Sequence, residues 1–199
     1  MQHIIKHKIS NQADVLQRHS KHDAERRLKT LARGVRSGDV GNTEAHASQV
    51  YFRQLFGSSF SRKQSRIHNT ALNYGYSIIR SALARNLVSY GFLTALGLHH
   101  RSEQNAFNLA DDLLEPFRPI MDAYVLMHFP LDSEDRDLSR DDKACLVNIL
   151  HSDVAINDCG SMSTKSTLPA ASEAIVVSLS QRLNDKALTL TLPGLCDVE

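Results

Sequence analysis

Long apolar runs are missing from this 199-residue chain, so no membrane-spanning helix is expected. Its start, Met1-Gln-His-Ile-Ile-Lys-His-Lys8, lacks the apolar core and small-residue cleavage site of a secretory signal, and none is predicted. Cysteine is scarce. Cys145, Cys159 and Cys196 are odd in number and far apart, which excludes a CxxC metal motif and argues against a disulfide framework. They read as core or incidental thiols, in keeping with a cytoplasmic protein. No internal repeat is present, and net charge is nearly absent at +1.

What is present is an ordinary globular composition, 42% hydrophobic and 23% charged, enough for one sizeable core or two small ones. The small net charge conceals an asymmetry. Residues 1–90 carry 15 Lys/Arg against 5 Asp/Glu, a net +10, and residues 91–199 carry 8 against 17, a net −9. A basic half points to a polyanionic partner such as nucleic acid; two solvated faces that neutralise each other are the alternative.

Apolar spacing predicts helices over Ile4–Leu16, Asp23–Arg36 and Glu44–Phe56, the last capped by Asn42 or Thr43. A long apolar helix is expected from Asn69 to Leu96, with a break near Ser89-Tyr-Gly91 and an end at Gly97. Asn108 heads a segment to His128 that Pro116 and Pro119 divide near Glu115. Residues 131–143 read as an acidic, solvated connection. Further helices are expected over Lys143–Ser152 and Ala170–Leu183, a Ser/Thr-rich loop over Ser161–Thr167, and a short strand or extended tail over Leu188–Pro193. The expected fold is mainly α.

One cluster of residue types carries chemistry. Glu44 at a helix start, His100 in a loop, and Asp112 and Glu115 three apart on one helical face could surround a hard divalent ion, leaving room for water and phosphate. One imidazole among carboxylates suits Mg²⁺ or Mn²⁺ better than structural Zn²⁺. Equally, His100 could be a solvated loop residue, and Asp112 and Glu115 an exposed acidic face near a helix start.

Five segments in order, residues 6–12 (KHKISNQ), 44–52 (EAHASQVYF), 69–80 (NTALNYGYSIIR), 96–100 (LGLHH) and 109–119 (LADDLLEPFRP), resemble the CRISPR-associated integrase/endonuclease of spacer acquisition, in its type II-like form. The resemblance is strongest over residues 1–130 and looser over the acidic connection and C-terminal helices of 131–199. It implies an α-helical, metal-dependent nuclease/integrase domain over 1–199, in a prokaryotic cytoplasm. The metal ligands and catalytic residues it implies are Glu44, His100 (preferred over His99 by the turn pattern) and Glu115, with Mg²⁺ or Mn²⁺ as cofactor. Asp112 and Asn69 take supporting positions, and Lys8, Asn11 and Gln12 fall in a block read as structural. Arg118 is expected to brace Glu115 by an internal ion pair rather than touch DNA.

The implied reaction is attack by the 3′-hydroxyl of a short DNA fragment on a phosphodiester at the CRISPR repeat boundary. Arg62, Lys63, Arg66, Arg80 and Arg85 are candidates for phosphate contact, although a solvated surface explains each alone. Double-stranded DNA (protospacer and repeat), a homodimer and a small ferredoxin-like partner are implied for the family. The chain starts where that family's helical domain begins and lacks its N-terminal β-domain, which puts dimerisation and paired integration in question. A DNA- or partner-binding module without integration activity is the alternative, and a helical interaction protein without catalysis the second. The metal reading requires the carboxylates of Glu44 and Glu115 and the ring of His100 to approach a common point.

Overall fold

The computed structural model describes residues 1–39, 41–157 and 164–196. Apolar residues three and four apart build α1 (Gln2–Arg18), burying Ile4, Ile5, Ile9, Ala13 and Leu16 along one stripe. Onto it packs α2 (His22–Gly34), through Ala24, Leu28 and Ala32. The next helix, α3 (Thr43–Phe56), is capped differently from expectation. Asn42 stands at the cap in a left-handed conformation (φ 50°) and makes no side-chain cap bond. The Asp39 carboxylate instead accepts from the N–H groups of Thr43 (2.9 Å) and Glu44 (3.0 Å), placing negative charge at the helix's positive end.

The long helix α4 (Ile67–Ser89) stops well short of Leu96. Gly91 takes a positive φ of 79°, and the N–H groups of Gly91 and Phe92 turn back to the carbonyls of Val88 (3.0 Å) and Leu87 (2.9 Å). That left-handed stop suits a residue without Cβ. Gly97, expected to end the helix, lies beyond it in the irregular segment 90–107. The divided segment is resolved as α5 (Asn108–Leu114), a 3₁₀ turn (Glu115–Phe117) and α6 (Arg118–His128). Each proline falls in the first turn of its piece, where a missing N–H costs nothing. Gly75 lets α4 and α6 approach closely, since a Cβ there would collide with the Met121 side chain.

Ser139 begins a helix earlier than expected, inside the acidic stretch. It caps α7 (Arg140–Val147) in a reciprocal box with Asp142, and a 3₁₀ turn (Asn148–His151) continues it. A three-stranded antiparallel sheet comes next in the chain, and only its last strand is expected from the sequence pattern. β1 (Asp153–Asn157) lies between β2 (Thr164–Thr167) and β3 (Leu192–Leu195), with Val154 opposite Ser166 and Leu195. β2 falls in the segment expected to be a loop; the rest of that segment and Cys159 lie outside the described residues. Cys145 forms no disulfide among the described residues. α8 (Leu168–Asn184), capped by Thr167, links β2 to β3 and packs on α4. The architecture is mainly α, as expected. No described helix is long and apolar enough to cross a membrane.

One buried side chain ties three of these elements together. The Asn11 amide donates to Pro116 O (2.8 Å) and Pro193 O (2.9 Å), fixing the register of α1 against the 3₁₀ turn and β3.

Candidate active site

Glu44 opens α3 and Glu115 opens the 3₁₀ turn, and the fold brings these distant acids onto one ammonium. Lys8 Nζ lies 2.5 Å from Glu44 Oε1 and 2.5 Å from Glu115 Oε2. Lys8 is 7% exposed and Glu115 5%. Burial alone would pull the lysine down, but the Glu115 and Glu44 carboxylates outweigh it and leave its pKa above the ordinary value. Burial likewise pushes Glu115 up, yet Lys8 and Arg118 hold it below the usual carboxylate range. Arg118 Nε donates to Glu115 Oε1 at 2.9 Å, the bracing expected of it.

His100 does not join this group. The turn over residues 97–100 is wound around the buried Asp112, whose carboxylate accepts from the N–H groups of Leu98, His99 (2.9 Å) and His100 (3.2 Å). Asp112 Oδ1 also lies 2.7 Å from His100 Nδ1, which orients the ring; among the described residues nothing hydrogen-bonds its Nε2. No side chain fits at Gly97: a Cβ would press on the His100 carbonyl, with Asn108 Cβ and Asp112 Oδ2 both at 2.9 Å. The Asn108 amide, rather than capping α5, ties it to this loop through Ala95 O (3.0 Å) and Ser102 O (2.8 Å). Among the described residues, no three His, Cys, Asp or Glu side chains converge at ion-binding distance. Each half is closed on itself, the glutamates on Lys8 and His100 on Asp112. The glutamate pair is nonetheless a hard-oxygen set already holding a cation, and so fits Mg²⁺ or Mn²⁺.

A cavity of about 150 Å³ adjoins Glu115, lined among others by Lys8, Arg62, Tyr76, Arg118 and Asp122. Arg62 is presented to it by amides: it donates to Asn69 Oδ1 (2.7 Å) and Asn73 Oδ1 (2.6 Å) and lies over the rings of Phe52 and Tyr76. Among the described residues no carboxylate takes its hydrogen bonds, so its charge is left for the cavity. Asn69 also donates to Ser61 O (2.9 Å) and Gln64 O (2.8 Å), which places it beneath the Arg62 loop. Lys63 and Arg85 are exposed and Arg66 half-buried. Arg80 is committed elsewhere, to Asp111 (2.8 Å) and Asn105 (2.8 Å) and over the Phe107 ring, where it anchors the loop.

Two members of the site escape sequence reasoning. Lys8 reads there as one of a structural block, although a lysine one helical turn from Ile4 and from Gln12 on a buried stripe is a signal. The other is Asp122, a lone acid on the buried side of α6. It accepts a hydrogen bond from the Tyr76 hydroxyl, with the buried Tyr51 close by. Burial, only partly opposed by the tyrosines and by Arg62 and Arg118, raises its pKa to about 6.

Comparison with known proteins gives these positions a context. The family described as CRISPR associated protein Cas1 matches residues 1–150. A CRISPR-associated endonuclease Cas1 from Neisseria meningitidis serogroup C (strain 8013) is 45% identical over 193 residues, which cover 96% of this chain and 62% of that protein. CRISPR-associated endonuclease Cas1 1 of Francisella tularensis subsp. novicida (strain U112) is 28% identical over 144 residues, 62% of this chain and 45% of that protein. The chain thus spans about three fifths or less of the length of these relatives. A chain of a solved Cas6-RT-Cas1--Cas2 complex superposes with a TM-score of 0.69 at 21% identity, over 93% of this chain and 23% of that one. This last likeness supports the fold.

Proposed function

The chain belongs to the CRISPR-associated Cas1 family, and from that premise we propose that it is a metal-dependent DNA endonuclease/integrase domain acting in CRISPR adaptation. The observation that carries this reading is the meeting of Glu44 and Glu115, 71 positions apart by their numbers, on one cation beside a cavity lined by Arg62 and Arg118. Glu44 and Glu115 would hold Mg²⁺ or Mn²⁺; His100, paired with Asp112 in this structure, is the third ligand that the family resemblance implies. A bound ion supplies charge stabilisation at a phosphodiester and activation of a hydroxyl.

The residues of the chain do the rest. Arg118 holds the Glu115 carboxylate in one orientation, and Asp112 does the same for the His100 ring. Arg62, aimed by Asn69 and Asn73, offers its guanidinium to a phosphate oxygen. In the integration step a DNA 3′-oxygen forms a bond to phosphorus while the bond to the departing 3′-oxygen breaks. One proton leaves the attacking hydroxyl and one joins the leaving oxygen, so the number of phosphodiesters is unchanged. With water as attacker the same site is a nuclease. Double-stranded DNA is the proposed substrate, and a Cas2-like protein and a second copy of the chain are the proposed partners.

The test is cleavage of branched DNA with Mn²⁺ by the full chain beside Glu44→Ala, His100→Ala and Glu115→Ala. Each substitution is expected to lower turnover by about a hundredfold or more, the scale of losing a charge-stabilising group. Activity surviving all three sinks the site, and DNA retention without turnover in the unaltered chain favours a binding module. Gly97→Ala makes an independent prediction. Overpacking the turn costs about 1–3 kcal/mol, or a few degrees of Tm in a chain of this size. Turnover is expected to fall much further than that stability loss implies, because His100 moves with the turn. Unchanged turnover in the folded variant would show that this turn has no part in the chemistry.

A further inference from the structure

Lys8 stands at the one point where an ion would have to bind. Its Nζ is 2.5 Å from an oxygen of each glutamate, so those oxygens are at most 5 Å apart. A hard divalent ion asks for oxygens at about 2.0–2.6 Å, the same centre at the same radius. An ammonium and an ion cannot both occupy it. Nor can the helix slide to make room, because Asn11 ties α1 to Pro116 and Pro193, and His7 adds a contact to Pro193 O at 2.8 Å. Only the four-carbon stem of Lys8 is free to swing.

A place for the displaced ammonium already exists. Gln12, one turn along α1 on the same face, is buried, and its Oε1 has no hydrogen-bond partner among the described residues. Asp122 Oδ2 is also buried and makes no hydrogen bond at ordinary distance, with the Tyr51 hydroxyl its near neighbour. Both residues line the cavity that Lys8 itself lines. A buried acceptor left without a donor is costly, and Gln12 Oε1 together with the Asp122 carboxylate, facing the cavity that Lys8 also lines, forms a second seat for the ammonium.

We propose that Lys8 is a two-position ammonium: in the metal-free protein it occupies the cation seat between Glu44 and Glu115, and on ion binding it moves into the cavity toward Gln12 and Asp122. Lys8 then acts as a positioning residue with two effects. It keeps two like-charged carboxylates together while no ion is bound, and it lowers ion affinity by competing for their oxygens. Entry of the ion also turns a cation into the cavity where Arg62 and Arg118 already face, preparing it for a phosphate. The inference rests on the glutamates being the ion's ligands.

The test is Mn²⁺ binding by the full chain without DNA, read from the electron paramagnetic resonance signal of free Mn²⁺, for wild type, Lys8→Met and Glu115→Gln. Lys8→Met is expected to bind Mn²⁺ about tenfold or more tightly than wild type, and Glu115→Gln to bind about tenfold or more weakly. Equal or weaker binding by Lys8→Met, with Glu115→Gln impaired, overturns the two-position lysine and leaves the metal site standing. Binding by Glu115→Gln as tight as wild type, or no binding by any of the three, removes the metal site and this inference with it. Should Lys8→Met fail to fold, acylation of Lys8 in the wild type, followed by peptide mass mapping, gives the answer. Saturating Mn²⁺ is expected to change the labelling of Lys8 relative to the exposed Lys63, because its acceptors are exchanged; an unchanged ratio overturns the proposal.

Discussion

Glu115→Gln is expected to lower the melting temperature of the protein by on the order of 10 °C and, at the same time, to remove the DNA cleavage proposed for this site. The substitution keeps the shape of the side chain and takes away one charge from a buried set. Two cations then lose their partner: Lys8, 7% exposed, keeps only Glu44, and Arg118 loses the carboxylate that accepts from its Nε. Breaking a buried ion pair by removing one member costs about 3–5 kcal/mol, because the remaining charge stays desolvated. At about 2–4 °C per kcal/mol in a chain of this size, that gives the expected change in melting temperature. Glu44→Gln should cost less stability, since its side chain is 25% exposed and water can compensate it. The double variant Lys8→Met/Glu115→Gln should recover part of the loss by removing the stranded ammonium. Thermal melts of the four proteins decide the matter; an unchanged melt for Glu115→Gln would falsify the idea of a charge held by burial and pairing. The double variant regains fold without regaining cleavage, which separates the structural role of the carboxylate from its proposed chemical one.

The helices are legible in the sequence where a single face is buried. Ile4, Ile5, Ile9, Ala13 and Leu16 mark α1 because the apolar stripe is continuous, and its ends differ only by the frayed turns that periodicity does not weigh. Periodicity misleads where apolar residues are not buried. Leu93, Leu96 and Leu98 extend the spacing of α4 in the sequence, yet all three are exposed, and a single left-handed glycine at position 91 ends the helix first. The sheet is largely illegible for a different reason. Val154 faces Leu195 across a pairing that spans α8 in the chain, and its nearer partner Ser166 lies in a Ser/Thr-rich stretch without alternating apolar residues.

The site divides along the same line. Glu44, His100, Asp112 and Glu115 are identifiable by type and by resemblance, but their grouping is not. The glutamates meet Lys8, whose type gives no hint of burial, and His100 is taken by Asp112 because a turn lacking side-chain bulk at Gly97 brings three N–H groups and the ring onto one carboxylate. Charge pairing across the fold is a property of the packed state, and a sequence shows only its members.

Asp122 makes the sharpest prediction about pH. Its carboxyl is 1% exposed and faces the hydroxyls of Tyr76 and Tyr51 and, more distantly, the guanidinium groups of Arg62 and Arg118. Burial is the largest influence, and it raises the folded pKa to about 6. The unfolded chain binds that proton with an ordinary pKa of about 3.9. Between those values the folded protein holds more protons than the unfolded one, so this group makes stability fall as pH rises from about 4 to about 6. At neutral pH, keeping a carboxylate charged in this cluster costs about 3 kcal/mol relative to the unfolded chain. Asp122→Asn removes the ionisation while retaining an oxygen that can accept from Tyr76. The variant is therefore expected to melt within a degree or two of wild type near pH 4 and above it, by about 5–10 °C, near pH 7.5. Comparing the two proteins across pH cancels the contribution of every other acid, so the difference curve reports Asp122 alone. A difference that stays flat from pH 4 to 8 would show that the carboxyl titrates at its ordinary value despite its burial, and that Arg62 and Arg118 compensate its charge more fully than their distance suggests.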